Sequence, residues 1–135
     1  MILVLKRPFI QKILTHTQSQ YPLEACGFLS GRDGVVMNQY PIHNRLQSET
    51  EYEMEPTEML SAFLAMESQN EELIAIYHSH PQGSAHPSPT DIAQAYYPDA
   101  VQIIVSLVDR KRPLIRAFSI KNGTVTPVTI MERDD

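Results

Sequence analysis

Apolar residues recur along this chain at two different spacings, and the changes between them mark its elements. From Pro8 onward, Phe9, Ile13 and Leu14 fall on one side of a helix that runs to about Gln20, where Tyr21-Pro22 stops it. Pro8 suits a first helical turn, whose N–H groups have no intrahelical partner in any case. Glu24–Ser30 (EACGFLS) reads as a strand, and Gly31-Arg32-Asp33-Gly34 turns the chain back into a second strand, Val35–Tyr40. Residues 43–53 are polar and read as loop, closing on a short strand around Tyr52. A second helix opens at Pro56, carries Met59, Leu60, Phe63 and Leu64, and ends near Asn70.

Leu73–Tyr77 is an unbroken apolar run, expected as a buried strand that leads straight into His78. Residues 81–88 are rich in Pro, Gly and Ser and read as loop, and Pro89 opens a short third helix to about Tyr96. Three more strands are expected over 101–108, 114–120 and 124–130. Asn122-Gly123 joins the last two and favours a type I′ hairpin turn. The sum is a mixed α/β domain, a mostly antiparallel sheet with helices packed on it.

Size and composition narrow this picture. At 135 residues the chain is read as one domain, residues 1–135, with one core. A net charge of −5 leaves no basic footprint, so nucleic acid is not expected as a partner. No apolar run reaches membrane-spanning length, and MILVLK is too short for a signal peptide. A single cysteine, Cys26, excludes an intrachain disulfide and fits a reducing compartment, so the expected location is cytoplasmic. Cys26 itself reads as a small buried hydrophobe.

The chemistry concentrates in HSHPQGSAHPSPTD, residues 78–91. His78 and His80, two apart on a strand, point to one face, with Ser79 pointing to the other. Asp91 falls in the first turn of the next helix, and the intervening loop can fold it back to the imidazoles. Two imidazoles and one carboxylate suit a zinc ion that keeps one position open for water. Such a site carries a charge of about +1, enough to acidify that water toward a pKa of ~7.

Ser88-Pro89-Thr90-Asp91 is also an ordinary helix start, with Ser as N-cap and an acid at N3. The two readings coexist if the cap fixes the helix that carries Asp91. His16, on the first helix, and His43, in a loop, take the structural reading. His86 can reach toward substrate, but a fourth protein ligand would close the site.

Metal-assisted hydrolysis also needs a carboxylate that moves protons without binding the ion. Glu24 stands at the margin of an apolar strand, where a charge must be paired or functional. A solvated strand end is the competing explanation. Glu49, Glu51, Glu53, Glu55, Glu71 and Glu72 read as surface charges.

Taken together, Glu24, then His78-Ser79-His80-Pro81, then Ser88 and Asp91 resemble the pattern of the JAMM (MPN+) metalloproteases, E followed by H-[ST]-H-P-x6-S-x-x-D. Gly27 also fits the E-x-x-G context of the family's glutamate. The resemblance implies a cytidine-deaminase-like α/β fold. It implies His78, His80 and Asp91 as zinc ligands and Glu24 as the acid–base. It implies Ser88 as a donor to the tetrahedral oxyanion.

The family hydrolyses peptide or isopeptide bonds after the C-terminal Gly-Gly of ubiquitin-like proteins. A chain this compact resembles its prokaryotic branch, whose expected substrates are ubiquitin-like sulfur carriers. Cleavage there trims a C-terminal extension or releases an amino acid such as cysteine. The alternatives are a protein-binding module of the same fold and a RadC-like DNA-associated protein. A zinc deaminase would need a second cysteine ligand, which this chain lacks. Oligomeric state is not legible.

Overall fold

The computed structural model describes residues 1–134. Seven strands and three helices follow one another as β1 (Ile2–Lys6), α1 (Arg7–Gln20), β2 (Cys26–Arg32), β3 (Val35–Ile42), α2 (Pro56–Ser68), β4 (Glu72–His80), α3 (Pro89–Ala93), β5 (Val101–Ser106), β6 (Leu114–Lys121) and β7 (Thr124–Arg133). The strands lie in the order β1-β3-β2-β4-β5-β6-β7, and β1 pairs back onto β7, so the sheet curls round and closes. The pairings of β2 with β3 and β4, and of β6 with β5 and β7, are antiparallel; β1 with β3 and β7, and β4 with β5, are parallel. The fold is the mixed α/β arrangement expected. No helix among the described residues is long and apolar enough to cross a membrane.

Both predicted hairpins form as their turn residues require. Asp33 and Gly34 take φ of 54° and 75°, and Asn122 and Gly123 take 51° and 78°, positive at both central positions. Pro8 and Pro56 sit in the first turns of α1 and α2. Three expectations shift, and one strand is added. The N-terminal apolar run is a strand, β1, whose register runs from Ile2 against Thr129 to Lys6 against Arg133. The strand expected at Glu24 begins at Cys26, so Glu24 lies just before it. Around Tyr52 only an isolated bridge forms, between Asn44 and Met54. α3 stops at Ala93 rather than near Tyr96. Pro98 biases Tyr97 away from helical geometry, and Tyr97 instead meets Phe63 of α2, ring centroids 6.1 Å apart.

β4 organises the molecule. Seven of its nine residues, Ile74 to His80, are buried, because both faces of the sheet are covered there. Leu29, Ala75, Tyr77, Ile103 and Val105 pack with Ile13 of α1 on one side. Cys26, Phe28 and Ile76 pack with Ala62 and Met66 of α2 on the other. Each fully buried aliphatic or aromatic side chain contributes about 1.5–3 kcal/mol. The two layers therefore clamp β4 firmly, and with it the histidines at its C-terminal end.

Candidate metal centre

His78 and His80 fall on the α2 side of β4, as alternation along a strand requires. Ser79 points the other way, and its Oγ accepts a hydrogen bond from the Ala25 N–H at 2.9 Å. The Nε2 atoms of the two histidines lie 3.0 Å apart. Asp91 Oδ2 lies 3.1 Å from His78 Nε2 and 2.9 Å from His80 Nε2.

The capping box at the start of α3 places Asp91. The Ser88 Oγ accepts from the Asp91 N–H at 3.1 Å, and the Ser88 N–H donates to Asp91 Oδ2 at 2.9 Å. The cap and the proposed ligand are thus one device. The loop before α3 is tied down by Ser106, whose hydroxyl donates to the Gly83 carbonyl at 2.7 Å.

A divalent cation fits this donor set. Ligands 2.0–2.1 Å from a tetrahedral zinc lie roughly 3.3 Å apart, close to the edges of this triangle. The His80 Nδ1–H donates to the Ser84 carbonyl at 2.7 Å, since a carbonyl can only accept. That leaves the His80 Nε2 lone pair facing the centre, the tautomer a metal needs. Three electron-pair donors within 3.1 Å of one another repel unless protons or a cation lie between them. His78, His80 and Asp91 form the group that could hold a metal among the described residues, and His86 is outside it. His86 is exposed, with its ring against Phe118, 5.4 Å between centroids.

Electrostatics follow burial. Burial pushes the pKa of His78 down, against the pull of Asp91. For His80, burial acts downward too, but the Asp91 carboxylate, the Ser84 carbonyl and Glu24 together outweigh it and raise the pKa. Asp91 is half-buried, and the two imidazoles and the Ser88 N–H overcome that burial to hold its carboxyl far below the ordinary range.

Glu24 completes the site from the segment that leads into the neighbouring strand, β2. Cys26 pairs with His78, so continuing that antiparallel register by two residues sets Glu24 opposite His80. Its backbone is fixed by the N–H donating to the Ser48 carbonyl at 2.8 Å and the carbonyl accepting from Asn44 Nδ2 at 3.1 Å. Its side chain is buried, and Oε1 has no hydrogen-bond partner among the described residues. Burial above all, helped by the charges of Asp91 and Glu51 and opposed by His80, pushes its carboxyl up to about 8.

Gly27 is explained by what lies behind it. A Cβ there would meet the Tyr77 ring at 2.4 Å. Cys26 is fully buried, its thiol donates to the Ile42 carbonyl at 3.3 Å, and burial first, then Glu24, pushes its pKa up to about 12. That is an inert thiol, as expected. Sequence reasoning did not find Tyr52, whose ring stacks on His78 at 4.7 Å between centroids, or Ser84 and Ser106. Their contacts come from loop packing, which leaves no periodic signal.

A closed mixed sheet with helices on both faces, two histidines at the end of a central strand and a buried glutamate beside them is the arrangement of a JAMM-type peptidase. The family model described as prokaryotic homologs of the JAB domain matches residues 6–121, and the chain belongs to that family. A CysO-cysteine peptidase from Mycobacterium bovis is 35% identical over 98% of this chain and 93% of its own length. A probable TtuB-protein conjugate cleaving protease from Thermus thermophilus is 31% identical over 97% of this chain and 84% of its own. The solution structure of a protein from Desulfitobacterium hafniense superposes with a TM-score of 0.90 at 32% identity, covering 100% of this chain and 94% of that one.

Proposed function

We propose that the chain is a zinc-dependent peptidase, acting as one domain over residues 1–135. It hydrolyses the bond after the C-terminal Gly-Gly of a ubiquitin-like protein of the sulfur-carrier type. The observation that carries this reading is the juxtaposition of three converging metal donors, on His78, His80 and Asp91, with the buried and partly unpartnered carboxylate of Glu24.

In this reading His78 Nε2, His80 Nε2 and Asp91 Oδ2 hold the ion. Zinc bound there would supply Lewis acidity to water and to the substrate carbonyl, and a cation beside Glu24 would favour its ionised form, the one that accepts a proton. Glu24 takes a proton from the attacking water and returns it to the departing nitrogen, a role that contributes about 10²–10⁴ in rate. Ser88 keeps a lone pair on the Asp91 N–H and still has its hydroxyl hydrogen to give to the developing oxyanion, because a hydroxyl both donates and accepts. Burial of Glu24 and His78 keeps bulk water from competing with these hydrogen bonds.

The Mycobacterium bovis relative is named for CysO-cysteine and the Thermus thermophilus relative for TtuB-protein conjugates. These names support a protein tail as substrate and leave two kinds of leaving group, an amino acid or a second protein. Mass spectrometry of sulfur-carrier proteins extended by cysteine, or joined to lysine through an isopeptide bond, tests both. The expected result is cleavage after Gly-Gly that a chelator and Glu24→Gln each abolish. Cleavage insensitive to either would overturn the mechanism, and one bound zinc without cleavage of any carrier would overturn the substrate.

A further inference from the structure

Beside the metal centre lies a cleft of about 230 Å³ that the chemistry above does not use. Its floor is a row across three strands: Phe28 of β2 pairs with Ile76 of β4, and Ile76 with Gln102 of β5. Tyr52, Met59 and Tyr97 line it above that floor. Gln102 is the anomaly. The residue is only 7% exposed and lines the cleft, and its amide is not among the sealed, unpartnered atoms, so it opens into the cleft and is free to bond what enters there. A polar group at the base of an otherwise apolar cleft marks where an incoming side chain must offer a hydrogen-bonding partner once solvent is displaced.

The position of the cleft says what that partner is. Ile76 precedes His78 by two residues on the same face of β4, so the floor lies about 6.6 Å along the strand from the His78 row. Glu24 lies on the other side of that row, opposite His80. A nitrogen protonated by Glu24 departs on the His80 side, and the acyl chain then runs toward the cleft. In an extended peptide, residues two apart are separated by the same ~6.6 Å and point to the same side. With glycine at the scissile carbonyl, the residue two positions upstream is the one that precedes Gly-Gly.

We propose that this cleft is a subsite for the side chain immediately before the di-glycine, and that Gln102 pairs with a hydrogen-bonding group at the end of it. The proposal rests on the peptidase reading for the direction of the bound chain. The side chain that fits is neutral, with an apolar stem and an amide tip, as in glutamine. A carboxylate is rejected, because Glu53 and Asp91 line the cleft and no Lys or Arg does.

Calorimetric titration of the zinc-loaded protein with short peptides ending in X-Gly-Gly, where X is Gln, Leu or Glu, tests this. Gln should bind at least about tenfold tighter than Glu, since an unpaired charge is poorly tolerated in such a site. In Gln102→Leu the preference for Gln over Leu should fall by about three- to tenfold, the worth of one hydrogen bond. Equal affinity for all three peptides, no binding of any, or the same Gln-to-Leu ratio in both proteins overturns the subsite. The comparison of peptides needs only the unaltered protein, so it stands even if Gln102→Leu folds poorly. The same peptides extended by cysteine report turnover. Selective binding without turnover upholds the subsite and overturns the peptidase reading. Turnover indifferent to X and to Gln102 does the reverse.

Discussion

The two faces of β4 are made from alternate residues of one strand, equally buried, and they treat polar groups in opposite ways. On the α1 face, Tyr77 is fully buried, but its hydroxyl receives the Gln39 amide at 3.0 Å and reaches His16 Nδ1 at 2.6 Å. Burial lowers the pKa of His16, which keeps the imidazole neutral and able to accept that bond. Ser79 on the same face is paired with the Ala25 N–H. On the α2 face, His78 Nδ1 and Glu24 Oε1 have no partner among the described residues. Desolvating a polar group without pairing it costs about 1–3 kcal/mol. The α1 face avoids that cost; the α2 face carries it, and at Glu24 Oε1 it does so beside the metal centre, where a bound ligand would offset it. Unmet polar demand, rather than burial, separates the reactive face from the structural one.

The contrast breaks most sharply at the metal. His80→Ala should lower zinc affinity by well over ~100-fold, the upper end of what losing a mere supporting contact costs, and turnover should vanish with it. Metal analysis of the purified variant checks this, and full zinc occupancy would remove His80 from the ligand set. Glu24→Gln is the next largest effect. It should keep the zinc and lose about 10²–10⁴ in kcat, because the ligands remain and the proton carrier does not. The same substitution removes a buried carboxyl that must be desolvated, so the metal-free variant should melt higher than the metal-free parent. An unchanged rate, or a lower Tm, would mean that Glu24 is structural.

A change on the other face should do the reverse. In Gly27→Ala the new methyl would stand 2.4 Å from the Tyr77 ring, which must move and loosen its bonds to His16 and Gln39. Overpacking of this kind costs about 1–3 kcal/mol, visible as a lower denaturation midpoint. The folded fraction should still bind zinc. A midpoint equal to the parent's would show that Tyr77 is loosely held and that the two faces differ less than their hydrogen bonds indicate.

How much of this is legible in the sequence follows from how local each feature is. His78 and His80 share a face because they are two apart on a strand, and Asp91 is fixed by a cap three residues long, so short-range rules suffice for both. Glu24 is visible only as a misplaced charge, since its place opposite His80 depends on the register between β2 and β4. β1 escapes because its pairing with the end of β7 spans nearly the whole chain. Gln102 is one letter in VQIIVS, a run buried throughout, and nothing in that run says which residues face the cleft. Glu71, read as a surface charge, is the clearest miss. Its carboxylate accepts from Ser30 Oγ at 2.7 Å and from Asn38 Nδ2 at 2.9 Å, a contact made only when β2, β3 and β4 come together.

Glu71 also supplies the smallest test of the contrast between paired and unpaired carboxyls. The Asn38 amide first, and the Ser30 hydroxyl after it, hold its pKa below the ordinary value, the opposite of Glu24. A carboxyl whose pKa is lowered on folding binds its proton more readily in the unfolded chain. Its contribution to stability is therefore present above the unfolded value of about 4.3 and lost as pH falls through the folded one. Glu71→Gln should lower the Tm slightly near pH ~7, and the gap from the parent should close as the pH falls below the folded value. A gap that persists in acid would assign the effect to the shape of the side chain and not to its charge. The paired carboxyl would then differ from Glu24 in surroundings alone, and hydrogen bonding would no longer explain why one of the two is structural and the other is free to react.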